Sequence, residues 1–77
     1  MKSVEEIVEQ ALNLKPGTIK ESDSMLTVKT WDSIGHLEVL TLLDIESGKL
    51  VGIRELVGAT SVKAIKDVLR ARGLLNN

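Results

Sequence analysis

Residues 31–48, WDSIGHLEVLTLLDIESG, predict the second helix of this chain. Asp32 is a preferred N-cap residue and Gly48 a preferred residue just past a helix end, so we expect the helix to span residues 33–47. A helix that is apolar nearly all the way round is either central in the core or offers a second apolar face to a partner, and we expect both here. We expect Leu37 and Leu40 to be buried in the core. The apolar residues of this helix are Ile34, Leu37, Val39, Leu40, Leu42, Leu43 and Ile45.

The segments before this helix predict one further helix and a long loop. Residues 3–14 have apolar residues at helical spacing, and Ser3 and Glu6 form the S-x-x-E pattern of a capping box. The Lys15-Pro16-Gly17 segment is predicted to stop that helix, because proline disfavours helical geometry in the residue before it. Residues 18–30 have no sustained period and predict a loop whose few apolar side chains pack over the core, namely Ile19, Met25, Leu26 and Val28.

Two more helices are predicted after it. Residues 53–57 predict a short helix with Leu56 and Val57 facing the core. Residues 61–72 predict the last helix. Either Thr60 or Ser61 is expected to be its N-cap, and a glycine follows its end. The order is helix, long loop, helix, short helix, helix, and the predicted fold class is all-α.

Length and composition limit what the protein can be. A chain of 77 residues is one domain, residues 1–77, with one modest core. Its 43% hydrophobic residues include a single aromatic residue, Trp31, so we expect an aliphatic core. The chain has no cysteine, which excludes a disulfide framework and thiolate chemistry from the protein itself.

Charge, histidine content and hydropathy argue against a nucleic-acid-binding module, a metal site and a membrane-spanning protein. The net charge is −1 and the ten basic residues are spread along the chain, unlike the basic patch of a nucleic-acid module. One histidine among scattered acids is not a metal-ligand set, and we expect no metal site. No apolar run approaches the ~20 residues of a membrane span, and the first ten residues lack the apolar core of a signal peptide. We therefore expect a cytoplasmic protein.

Ser33 is the strongest candidate for a functional residue. It opens a predicted helix after a long loop, where a side chain is usually exposed. Free backbone amides and the helix dipole favour a negative group at such a position by ~0.3–1 kcal/mol, which suits a phosphodiester on the hydroxyl. The alternative is that Asp32 and Ser33 are ordinary residues of a helix start.

The segment Trp31-Asp32-Ser33-Ile34-Gly35-His36-Leu37-Glu38 resembles the modification site of acyl carrier proteins. The resemblance extends to the length, the capped first helix, the long loop and the start of the last helix at Thr60-Ser61-Val62. It implies a four-helix bundle of acyl carrier type, with three main helices, one short helix and a long first loop. It also implies that Ser33 carries 4′-phosphopantetheine, which a separate transferase adds from coenzyme A with magnesium, and that Asp32 serves both as helix cap and in recognition.

The implied function is that of a carrier protein, which holds a group covalently and has no catalytic activity of its own. An acyl or aminoacyl group would be held as a thioester on the arm, in a fatty-acid, polyketide or other specialised pathway, and the aliphatic core is expected to shelter an apolar chain. Partners would be the phosphopantetheinyl transferase, a loading ligase and downstream acyl-transfer enzymes, with the protein itself a monomer. The resemblance implies docking contacts at Ile34 and Glu38; the alternatives are a core residue and a solvated charge.

Several features depart from the family pattern and favour a specialised carrier. The chain is nearly neutral, whereas these proteins are often strongly acidic. Ile45 stands where another acid is common, and Ser47-Gly48 where a Phe-Gly pair is common.

The sequence leaves two rival functions possible and leaves the roles of His36 and Trp31 undecided. One rival is a cofactor-free helical adaptor that docks through the second helix. The other is a minimal hydrolase built on Ser33 and His36, which share a helix face at a spacing of three. We expect His36 to be a partly exposed helix residue. Trp31 is expected to clamp the loop to the helix with its indole N–H toward water, the alternative being a contact to partners or to the arm.

Overall fold

The computed structural model describes residues 2–75 and contains four helices. They are α1 (Val4–Ala11), α2 (Ser33–Glu46), α3 (Ile53–Leu56) and α4 (Val62–Ala71). The described residues form no β-strand, only an isolated bridge between Ser24 and Ser61. The predicted order of elements and the all-α class are therefore confirmed. No helix within residues 2–75 has the length and apolarity that crossing a membrane requires.

The core lies between the four helices. Helix α2 packs against α1 and α3, and α4 closes the bundle by contacting α1 and α3. As expected, the core is aliphatic apart from Trp31. Its fully buried side chains are Val4, Ile7, Val8, Trp31, Val39, Leu40, Leu43, Val51, Leu56, Val62, Ile65 and Leu69.

Helix α1 begins as predicted but ends earlier. Ser3 Oγ accepts the Glu6 amide at 3.1 Å, and a Glu6 carboxylate oxygen accepts the Ser3 amide at 3.1 Å, which completes the capping box. The helix stops at Ala11 because Asn13 adopts φ 59° and the Leu14 amide donates to the Glu9 carbonyl at 2.8 Å. The prediction that the Lys15-Pro16-Gly17 segment stops this helix is wrong, since an asparagine in the left-handed conformation already does so.

A buried carboxylate holds the start of the long loop. Glu9 is 5% exposed, and one of its oxygens accepts the Gly17 amide at 3.0 Å and the Ile19 amide at 2.9 Å. These bonds place Ile19 in the core, as predicted. Leu26 does not pack over the core, because it is 97% exposed at the outside of the loop.

The loop is also attached to the beginning of α4. The Met25 amide donates to the Thr60 carbonyl and the Val62 amide to the Asp23 carbonyl, both at 3.0 Å. Ser61 is the residue that caps α4, since its hydroxyl accepts the Ala64 amide at 3.0 Å.

An ionic cluster joins α1, the loop and α4. The Lys66 ammonium donates to Glu21 and to Glu5 at 2.8 Å each. The hydrogen bond to Glu21, followed by that to Glu5, raises the pKa of Lys66 above its usual value.

The C-terminal elements match the prediction except at one residue. Gly73 adopts φ 73° and the Leu74 amide folds back onto the Leu69 carbonyl at 2.8 Å, which ends α4. In the short helix Leu56 is buried, but Val57 is 56% exposed rather than facing the core.

Candidate functional site

Ser33 is the first residue of α2, and its side chain is exposed. The cap before it is Asp32, whose backbone is extended and whose carboxylate accepts the Gly35 amide at 2.8 Å. The Asp32 carbonyl accepts the His36 amide at 2.7 Å and so begins the helix. As Asp32 supplies the cap, the Ser33 hydroxyl is not required for it. The N-terminal amides of α2 and the helix dipole face the same region and favour a negative group there.

Gly35 brings the first turn of α2 into close contact with α1 and the loop. A Cβ at this position would lie 2.9 Å from Leu12 Cδ2 and even closer to the Thr30 carbonyl oxygen. Only a glycine permits this approach, a role that sequence reasoning did not assign. The sequence did contain one sign of this role. Glycine within a helix is about 1 kcal/mol less favourable than alanine, so a glycine in the first turn of α2 suggests a packing requirement.

We therefore expect Gly35→Ala to destabilise the protein by roughly 1–3 kcal/mol, because a backbone oxygen cannot move aside as a flexible side chain does. Gly58→Ala is the matched control, since a Cβ at Gly58 meets nothing within 4 Å. Urea unfolding of both variants measures the difference. A Gly35→Ala protein as stable as Gly58→Ala would show that the close approach is not needed.

Trp31 and His36 form a buried polar pair beneath Ser33. Trp31 is 1% and His36 6% exposed, so the prediction of a partly exposed His36 is wrong. Trp31 does clamp the loop to α2, but its indole N–H donates to His36 Nδ1 at 2.9 Å rather than pointing to water. The sequence held no local sign of this bond, because the two residues are brought together by the turn between the loop and α2.

The bond to Trp31 decides which tautomer of the His36 ring fits this site. An indole N–H can only donate, so His36 Nδ1 must be the acceptor and the ring proton sits on Nε2. His36 Nε2 lies 3.3 Å from the Leu56 carbonyl oxygen, to which it donates. One chain of hydrogen bonds thus joins the loop, α2 and α3, and both ring nitrogens of His36 are used.

Apolar side chains are exposed on α2, the helix that Ser33 begins, and on α3. Ile34 on α2 is 74% exposed, so it is not a core residue, and Glu38 is also exposed. Leu37, expected in the core, is 59% exposed. On α3, Ile53 is 43% exposed, and Val57 just after this helix is exposed as well.

Comparison with protein-family models, curated proteins and solved structures found no match to this chain. A functional assignment therefore depends on the geometry at Ser33 and on the resemblance of residues 31–38 to a carrier site.

Proposed function

We propose that the protein is an acyl carrier that holds an acyl or aminoacyl group as a thioester on 4′-phosphopantetheine attached to Ser33. The observation that carries the proposal is an exposed serine at the first position of α2, directly after an aspartate that already caps the helix. The four-helix arrangement with its long first loop is consistent with a bundle of acyl carrier type.

The chemistry of attachment needs little from this protein beyond an accessible hydroxyl. Ser33 Oγ would attack the pyrophosphate of coenzyme A at the phosphorus that bears the pantetheine. The P–O bond to the second phosphate would break, adenosine bisphosphate would leave, and a base of the transferase would take the hydroxyl proton. The product phosphodiester carries a negative charge, which the N-terminus of α2 stabilises.

The phosphopantetheine group fits this chain in a second respect. The sequence has no cysteine, so a thioester carrier must obtain its thiol from a prosthetic group. When bound, the arm supplies that thiol. The chain's own part is to hold Ser33 at an exposed helix start and to present docking residues to the transferase, the loading ligase and the enzymes that use the cargo.

The exposed side chains around Ser33 suit such docking. Ile34 lies immediately after the modified residue and Glu38 about one turn further along α2. An apolar contact beside a charged one gives a partner both affinity and orientation.

The test is incubation of the purified protein with coenzyme A, magnesium and a broad-specificity phosphopantetheinyl transferase. Intact-mass measurement should show the gain of one phosphopantetheinyl group, and fragmentation should place it on Ser33. A protein that gains no mass with several transferases is not a carrier.

Asp32 provides a more specific prediction. Loss of an N-cap costs ~1 kcal/mol, so Asp32→Ala should remain folded while its modification slows far more than this loss of stability explains. Asp32→Ser should restore the cap but not the rate, because the carboxylate is also needed in recognition or at the transferase's magnesium. Transferase rates beside urea unfolding measure both effects. If Asp32→Ser is modified as fast as wild type, Asp32 is only a cap.

The exposed apolar residues also favour one alternative, a cofactor-free adaptor that docks through α2; failure of every transferase to modify Ser33 would support it. The Ser33–His36 hydrolase has no such support. A general base needs a free ring nitrogen, and both nitrogens of His36 are bonded, to Trp31 and to the Leu56 carbonyl.

A further inference from the structure

The bundle is closed on both sides of Ser33. On the α1 side, the first turn of α2 packs so tightly that a methyl group at Gly35 would collide with the Thr30 carbonyl oxygen of the loop and with Leu12 at the end of α1. On the α3 side, His36 Nε2 bonds across to the Leu56 carbonyl. An alkyl chain on an arm at Ser33 would have to pass one of these two contacts to reach the aliphatic core.

The contact between α2 and α3 is costly to open. Separating the two helices would break the bond from His36 to the Leu56 carbonyl and leave both groups buried without a partner, which is strongly unfavourable. It would also disturb Trp31, whose indole N–H depends on the same histidine. Helix α3 is tied from the other side as well, because Arg72 at the end of α4 pairs with Glu55.

The open surface near Ser33 is of a different kind. A groove between α1 and α2 is lined by four polar residues, Gln10, Asn13, Glu38 and Thr41, and by three apolar ones, Ala11, Leu42 and Ile45. Glu38 and Thr41 follow Ser33 by five and eight residues, which places this groove about 7–12 Å along the helix axis from the proposed attachment point. The groove is open to solvent, and it offers a cargo polar side chains beside apolar ones rather than an enclosed apolar space.

From these contacts we infer that the cargo stays outside the helix bundle and is a short acyl group with its own hydrogen-bonding atoms, an amino- or hydroxyacyl group, rather than a long alkyl chain. The inference rests on the proposed attachment at Ser33. It revises the expectation that the core shelters an apolar chain, because the Trp31–His36–Leu56 bonds close the route inward.

The experiment loads the protein from acetyl-, octanoyl- and dodecanoyl-coenzyme A with the transferase and follows cleavage of each thioester by hydroxylamine. Each should be cleaved at the rate of the matching free acyl-pantetheine, and the emission of Trp31, the only tryptophan, should be the same for all three. A sheltered chain would instead slow cleavage by more than about tenfold from acetyl to dodecanoyl, because each buried methylene adds favourable transfer free energy. That result, or a Trp31 emission that shifts with chain length, would overturn the inference.

A pair of variants tests whether the contact at His36 keeps an acyl chain out of the core. His36→Ala removes both hydrogen bonds and the ring, and should slow cleavage of the dodecanoyl thioester relative to wild type. His36→Gln is the matched control, since its amide can still donate to the Leu56 carbonyl, and it should behave as wild type. Equal cleavage rates in His36→Ala and wild type, with both proteins helical by circular dichroism, would contradict a barrier at His36. If His36→Ala does not fold, the chain-length comparison in wild type decides alone.

Different results overturn the proposed attachment at Ser33 and the inference about the cargo. A wild-type protein that accepts none of the three donors overturns the proposed function, and this inference with it. A protein that is loaded but protects its dodecanoyl thioester overturns only the inference. The cargo on protein purified from its native host gives a direct check: an amino- or hydroxyacyl increment is expected, and a long saturated acyl increment would contradict it.

Discussion

The Ser33→Ala variant is expected to gain no phosphopantetheinyl mass under conditions that modify the wild-type protein completely. The substitution removes the only oxygen that can form the phosphodiester at this position. Two other serines at helix starts are not substitutes: Ser3 Oγ accepts the Glu6 amide at 3.1 Å, and Ser61 Oγ accepts the Ala64 amide at 3.0 Å. Ser33 differs because Asp32 caps α2 in its place.

The same variant should keep its fold. Alanine is favourable in a helix, and the exposed Ser33 side chain leaves no cavity when it is shortened. Circular dichroism and urea unfolding should therefore match the wild type. Ser22→Ala, at an exposed serine of the long loop, is the matched control and should be modified in full. A complete mass gain in Ser33→Ala would place the modification at another residue.

The largest loss of stability on α2 is expected for Leu40→Ala. Leu40 is 1% exposed in the centre of the core, and truncating a buried leucine costs about 2–5 kcal/mol through lost burial and the cavity left behind. That is a large share of the roughly 4–12 kcal/mol expected for a domain of this length. The Leu40→Ala protein should accordingly be partly unfolded at moderate urea concentrations.

Leu37→Ala is the matched control, the same substitution one turn away on the same helix. Leu37 is 59% exposed, so its truncation should cost under ~1 kcal/mol, and the same holds for Ile34→Ala at 74% exposed. Ile34→Ala should nevertheless weaken modification or cargo loading if its side chain is the docking contact that we propose. Urea melts beside loading rates separate the two effects. If Leu37→Ala unfolds as readily as Leu40→Ala, the exposed face of α2 is packed in solution, and docking must involve other residues.

Local sequence signals predicted the start of the candidate site well. A cap acts through residues three apart, so Asp32 and Gly35, or Ser61 and Ala64, are recognisable from spacing alone. The exposed position of Ser33 follows from the same local geometry. The surroundings of the site did not follow, because they depend on which elements lie against α2.

The sequence by itself determined the four helices, their order, most of their ends and the exposed serine at the start of α2, because periodicity, caps and glycine stops act within a few residues of the chain. Only the tertiary structure decided which leucines of α2 are buried: its pattern is apolar nearly all round, so its orientation is set by contact with α1 and α3. The same holds for His36, which is buried because Trp31 and the Leu56 carbonyl, five and twenty residues away, both satisfy its ring. The contact with Leu56 is long-range, and the bond to Trp31 depends on how the loop turns into α2, so neither follows from periodicity or capping patterns.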